Sequence, residues 1–314
     1  MVNLFVAVTD YDWFRFLQSR PDIDEVNFWQ PGGRAKFAAL QTGELFLFKL
    51  HSPRNFIVGG GIFAHATLLP VSLAWEAFEH SNGATSLEEM RTRIAKYRRQ
   101  SDDHMEDYQI GCRLLEQPFF FDESNWIPIP ASWSPNIVTG KTYSTEEVDG
   151  MRIWQQIQEQ IAAPRFGLDE EQVPFVGEFD QVRYGEPSLV RPRLGQGTFR
   201  VAVIDAYDRK CAVTSEKILP VLEAAHIRPY SEGGAHEISN GMLLGSDIHT
   251  LFDRGYVTVT PDHRFEVSKR IREEFENGKY YYGFHGQEIR TPKKPDLNPG
   301  RNFLEWHNQE KFMG

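Results

Sequence analysis

Four residues in the last third of the chain have side chains whose types and spacing could do chemistry together: His226, Asn240, His249 and Asp253. A neutral imidazole can take a proton from water, since its ordinary pKa of about 6.5 lies near working pH. His249 and Asp253 stand four residues apart. On a helix they would project from one face and could ligate one ion. An imidazole base beside a bound divalent ion is a hydrolytic arrangement. A lone histidine on an apolar strand is more often a satisfied core group. Here, however, the histidine is followed at measured intervals by an asparagine and a second histidine, with Gly233-Gly234 in the intervening loop.

The elements that must position these groups can be read around them. Leu222-Glu223-Ala224-Ala225-His226-Ile227 reads as a strand ending in a histidine. Asn240-Gly241 closes a Gly-rich loop, and a short helix then bears His249 and Asp253. This order of parts resembles the ββα-metal (HNH) nuclease motif. The resemblance implies phosphodiester hydrolysis with His226 as general base, Asn240 orienting the loop by hydrogen bonds, and His249 ligating a divalent metal, Mg²⁺ or Mn²⁺. Asp253 is added as a second ligand on its spacing. Many HNH members carry Asp or His immediately before the base. Ala225 stands there in this chain, so the missing ligand must come from elsewhere, from Asp253 or Asp247. Cys112 and Cys211 form no Cys-x-x-Cys pair, and no structural zinc is expected. His236 and His263 read as loop residues.

Upstream the local balance turns basic. Arg183, Arg191, Arg193 and Arg200 precede the motif and Arg228 follows its first histidine. Arg forks suit phosphate oxygens; a solvated basic face is the alternative. The lead-in from Leu194 to Thr214 and the closing segment around Tyr280–Gln287 and Leu304–His307 resemble those of one HNH subfamily. Before them, residues 146–180 read as a helical linker. Ser144-Thr145-Glu146-Glu147 caps a helix through Ile153, Trp154 and Ile157, Pro164 stops it, and an acidic, Pro- and Gly-containing stretch follows.

Residues 1–145 alternate as strands with helices inserted. Strands are expected near 1–10, 25–29, 44–50 and 56–63, with a bulge or tight bend at Gly59–Gly61. Asp10 is expected to cap a first helix, and Ser86 or Thr85 a later one. The runs Phe28-Trp29-Gln30-Pro31, Gly43 to Leu50, Ile57 to Phe63, Ala74 to Phe78 and Asn82-Gly83 resemble the EVE domain, a PUA-like β-barrel. That resemblance implies a reader that flips a modified base into an aromatic-lined pocket. Stacking needs flat side chains and a few polar groups for the base edge. Tyr11, Trp13, Trp29, His51, Ser52 and Asn55 lie at strand ends and loops where such a pocket could form. Trp13 could equally pack the first helix on the sheet, and Asn55 could cap a loop.

The bulk composition fits this division. The 314 residues suit two domains. The net charge of −10 argues against a passive nucleic-acid coat but not against a nucleic-acid enzyme with local basic patches. The two cysteines are too few for a disulfide framework, and no apolar run is long enough for a membrane. The expectation is an α+β chain in three parts: an EVE (PUA-like) barrel at 1–145, a helical linker at 146–180 and an HNH domain at 181–314. Its partner would be double-stranded DNA carrying 5-methyl- or 5-hydroxymethylcytosine, its assembly a homodimer, its place the prokaryotic cytoplasm. Two alternatives stay open: a nuclease with no modification requirement, and a non-catalytic reader of modified nucleic acid.

Overall fold

The computed structural model describes residues 2–32, 37–98, 107–162 and 194–314. The chain divides into two compact units, Met1–Pro192 and Arg193–Gly314.

The first unit runs β1 (Asn3–Thr9), α1 (Tyr11–Gln18), β2 (Glu25–Gln30), β3 (Leu45–Leu50), β4 (Phe56–Pro70), α2 (Val71–Phe78), α3 (Leu87–Ala95), β5 (Gln109–Phe120), β6 (Ile127–Pro128), β7 (Gly140–Ser144) and α4 (Val148–Ala162). The strands pair in the order β2-β5-β4-β3-β1-β7, with β6 also on β4. β1 and β3 run parallel because α1 and β2 intervene between them; the other pairs are antiparallel.

Every residue of β3 is buried, which follows from cover on both faces of the sheet. One face packs Leu4, Val6, Leu45 and Leu47 with Ile153, Trp154 and Ile157 of α4. The other packs Phe46, Phe48 and Val58 with Trp13, Phe14 and Leu17 of α1. The helix read from sequence as part of a linker therefore lies on the first unit's core. Its apolar stripe is buried against the sheet.

The Gly59–Gly61 run does mark irregular pairing. The β4–β5 register shifts between Gly60 and Ile62. A Cβ at Gly59 would sit 2.3 Å from the Phe119 carbonyl oxygen, and one at Gly60 2.6 Å from that of Phe46. Glycine is needed there because neighbouring backbones approach too closely for a side chain.

The second unit runs α5 (Gln196–Ala206), β8 (Leu222–His226), β9 (Gly241–Gly245), α6 (Ser246–Asp253), β10 (Val257–Val259), β11 (Phe265–Val267), α7 (Arg270–Phe275), α8 (Lys279–Tyr282) and α9 (Arg301–Glu310). β8 and β9 form an antiparallel pair with His226 opposite Gly241 and Ala225 opposite Met242. α5 packs over this pair through Phe199 and Val203, and α6 through Ile248 and Phe252. Gly241 permits the close approach of α5, since a Cβ there would meet Val203 Cγ2 at 2.6 Å and Phe199 Cζ at 2.8 Å. His307 on α9 is buried. It stacks on Phe252 at 3.7 Å, and its Nδ1 pairs with the Thr258 hydroxyl at 2.8 Å. No helix among the described residues is long and apolar enough to cross a membrane.

Candidate functional site

His226 ends β8, and its ring stacks on Phe199 at 3.9 Å with planes 10° apart. Its Nε2 is buried and has no hydrogen-bond partner. Burial pushes its pKa down to about 4, with smaller contributions from His236 and His249. The ring is thus held neutral, the form a general base requires.

Asn240 is wholly buried and uses its amide completely. Its Nδ2 donates to the carbonyls of Arg228 and Ala235, both at 2.9 Å, and its Oδ1 accepts the Arg228 backbone N–H at 2.9 Å. It thereby ties the loop after His226 to the start of β9. The loop needs its glycines to make this close contact. Gly233 has φ 82°, and a Cβ on Gly234 would lie 1.9 Å from the Arg228 carbonyl oxygen.

α6 follows β9 directly and carries His249 and Asp253 on one face. His249 Nε2 lies 3.4 Å from Asp253 Oδ2, and its Nδ1 lies 2.6 Å from Glu223 Oε2. Glu223 was missed in the sequence. Its signal was present, for it is the one acid in the strand, and it is exposed where Ala225 is buried. Ala225 shares the strand face of Glu223 but is buried and carries no donor, so it supplies no ligand. Asp247 does not join His249 either. It accepts from the Tyr281 hydroxyl at 3.2 Å and lines a cavity of about 330 Å³ with Thr214, Glu216 and Tyr280.

The donor chemistry of this corner fits a divalent ion: one imidazole between two carboxylates, at the mouth of the strand pair that ends in His226. The three do not converge on one point, since each ring nitrogen faces a different carboxylate. Among the described residues no group of three or more His, Cys, Asp or Glu side chains is arranged to hold a metal. An ion here would take one His249 nitrogen with one carboxylate. The rest of its shell would be phosphate and water, as hard cations that retain waters allow.

Of the arginines, Arg200 follows Phe199 on α5. Arg228 donates through Nε to the Glu232 carbonyl at 2.6 Å and lies 5.5 Å from the Trp306 ring. Arg183, Arg191 and Arg193 lie outside the described residues.

In the first unit the six pocket candidates separate. Trp13 is a core residue, 3% exposed and packed edge-on to Phe28 and Phe48, so it has no face open to a base. Its indole donates to the Asn82 carbonyl at 3.0 Å. Trp29 is half-buried and donates to the same oxygen at 2.9 Å. The Asn82 side chain is itself fully bonded to Asn27, Ala74 and Glu79, making it the hub that fixes both indoles.

His51 is open, and its ring lies parallel to that of Tyr97, 4° apart in plane with centroids at 6.4 Å. Asp10 joins them: its Oδ1 accepts from the Tyr97 hydroxyl at 2.6 Å and lies 3.5 Å from His51 Nε2. The sequence made Asp10 a helix cap, but its carboxylate makes no cap hydrogen bond and turns to these two rings instead. Burial and Asp10 push the Tyr97 phenol up, keeping its proton in place to donate. Tyr11 lies beneath the Arg54 guanidinium at 4.0 Å. Asn55, at φ 52°, accepts from the buried Lys49 ammonium at 2.7 Å. Ser52 is exposed on the loop between β3 and β4.

The family model of HNH endonucleases matches residues 211–260, which span β8, β9 and α6 with His226, Asn240, His249 and Asp253. The C-terminal unit carries an HNH endonuclease domain. Among solved structures, an ASCH protein from Zymomonas mobilis is similar over 48% of this chain and 94% of its own, at 13% identity and TM-score 0.33. A structure described as the modification-dependent TagI restriction endonuclease is similar over 98% of this chain and 81% of its own, at 12% identity and TM-score 0.28. Neither likeness bears on the roles of individual residues. The search of curated proteins returns no match.

Proposed function

We propose that the chain is a modification-dependent DNA endonuclease. On this reading the first unit recognises a modified cytosine and the HNH domain hydrolyses a nearby phosphodiester. The observation that carries it is the assembly at the end of β8. There a neutral, desolvated His226 is clamped on Phe199, its loop is tied by Asn240, and an imidazole flanked by carboxylates stands on the following helix.

His226 takes the proton from the attacking water. Asn240 keeps the loop, and with it the base, from drifting. His249, with Asp253 or Glu223, would hold the divalent ion, Mg²⁺ or Mn²⁺. When bound, that ion offsets phosphate charge and stabilises the 3′ leaving oxygen. On this reading Arg200 and Arg228 are the phosphate contacts, since guanidinium forks suit phosphate oxygens.

The parallel rings of His51 and Tyr97, with the Asp10 carboxylate between them, are the reading slot. Flat faces stack a flipped base, and a carboxylate accepts from the exocyclic amino group of cytosine. A single ββα site cuts one strand, so a double-strand break needs two copies of the chain.

The test is to incubate the protein with Mg²⁺ or Mn²⁺ and matched DNAs with and without 5-methyl- or 5-hydroxymethylcytosine. Cleavage of modified DNA alone, lost in His226→Ala, is the expected result. Equal cleavage of both DNAs would remove the modification requirement. Binding without cleavage would make the chain a reader only.

A further inference from the structure

His226 and His236 each leave one buried nitrogen without a partner: Nε2 of His226 and Nδ1 of His236. Their rings are neighbours, with centroids 5.2 Å apart and planes tilted by 55°. A buried polar atom left unmatched costs roughly 1–3 kcal/mol, so two such atoms side by side call for an explanation. A neutral imidazole carries one N–H and one lone pair, so the two atoms can satisfy each other if one donates.

The surroundings limit how this can happen. His226 is held face-on to Phe199 at 3.9 Å. The edge of His236 meets Tyr230, with centroids 4.9 Å apart and planes 86° apart. The backbone just before His236 is fixed by the bond from Asn240 to the Ala235 carbonyl. Asn240 thus fixes the backbone beside His236 without bonding its ring. The pairing requires the ring to turn so that Nδ1 meets His226 Nε2.

The direction of the bond decides what it does. If His226 Nε2–H donates, its Nδ1 keeps the lone pair and is the basic nitrogen. If His236 donates, the lone pair of His226 Nε2 is consumed inside the protein.

We propose that His236 is a positioning residue for His226, accepting the His226 Nε2–H at its own Nδ1 and so fixing the tautomer in which His226 Nδ1 is the base. The pairing deepens the proposed nuclease reading and rests on it for the word base; the tautomer itself can be measured without any cleavage.

The experiment uses the full chain labelled with ¹⁵N-histidine and long-range ¹H–¹⁵N spectra at neutral pH. The expected spectrum has His226 protonated at Nε2 and bare at Nδ1. His236→Asn keeps that pattern, because the Asn oxygen stands near the place of Nδ1. His236→Ala loses the single tautomer, and so does His236→Gln, whose oxygen reaches instead toward the place of Nε2. In cleavage of modified DNA, His236→Ala lowers kcat by about 10–100-fold, the scale of lost orienting partners, with KM little changed. His236→Asn restores most of the rate. Melting curves of the three variants check that each is folded.

The proposal is overturned if His226 carries its proton on Nδ1, or if its tautomer is the same in His236→Ala. It is also overturned if the variant raises KM at unchanged kcat, the mark of a DNA contact. Should no DNA be cut under any condition, the nuclease reading fails while the spectra still decide the pairing.

Discussion

The two units hold open polar side chains in different ways. In the HNH domain every group of the site comes from one short run, Glu223 to Asp253, and each is fixed by a neighbour within it or by one helix packed above it. Asn240 alone makes three hydrogen bonds to the loop it closes. In the first unit the open cluster is drawn from three distant places: Asp10 after β1, His51 after β3 and Tyr97 after α3. One carboxylate joins the two rings. Proton transfer demands geometry fixed to fractions of an ångström, which local hydrogen bonding supplies. A slot for a flat ligand demands faces and access, which strand ends and loops supply.

The largest effect that tests this contrast is His226→Ala. It is expected to lower cleavage by about 10²–10⁴-fold, the usual worth of a general base, while gel-shift affinity for modified DNA stays unchanged. Loss of binding together with cleavage would mean that the units do not divide the work. Next in size are the groups around the ion. His249→Ala and Glu223→Gln should each cost about 10–100-fold in activity at limiting metal, read as a rightward shift in Mn²⁺ titrations. If Asp253→Asn shifts the titration and Glu223→Gln does not, the ion sits on the helix pair alone and Glu223 merely orients the imidazole.

The same contrast explains what could be read from the sequence. The order strand, His226, Gly loop, Asn240, helix with His249 and Asp253 is local, so its spacing survives in the linear text. Glu223 is not legible as a site residue because a lone acid on a short strand is ordinarily a solvated edge group. Only the folded packing of α6 on the strand pair shows which acid meets the histidine. His236 was passed over because nothing in a loop's sequence says which ring its side chain will meet. In the first unit the strands were legible from alternation, but the roles of the aromatics were not. Trp13 is readable as packing the first helix and Trp29 as a pocket wall, but nothing in the sequence puts both indoles on the Asn82 carbonyl. Tyr97 follows a helix whose basic end reads as a solvated face, and only the tertiary fold brings it to Asp10 and His51.

A smaller effect is therefore expected in the first unit. His51→Ala removes one face of the slot, and a base–aromatic stack is worth about 1–3 kcal/mol, so the preference for modified over unmodified DNA should fall roughly tenfold. Cleavage of unmodified DNA should not change. Trp13→Phe serves as the matched control: it loses the bond to Asn82 and lowers the melting temperature, with selectivity retained. The roles would be reversed if Trp13→Phe abolished selectivity and His51→Ala did not.

The smallest expected effect is on acid stability, and it separates the units by pH rather than by activity. Burial holds the pKa of both His226 and His307 down to about 4, below the ordinary 6.5. Below 6.5 the unfolded chain binds protons that the folded HNH domain refuses. The stability these histidines contribute is therefore complete above 6.5 and drains away as pH falls toward about 4. In the first unit the comparable group is Glu89. It is held down to about 2, chiefly by hydrogen bonds from Thr85, with Arg93 adding to them. Its contribution is present above the ordinary value of 4.5 and is lost only as pH falls from there toward about 2. Hydrogen exchange followed by peptide should then show β8, β9 and α9 losing protection between pH 6.5 and 4 while α3 keeps its own. His307→Gln should flatten the first of these slopes. Simultaneous loss of protection in both units across that window would show that their stabilities are coupled and that the buried histidines do not set the acid limit of the HNH domain.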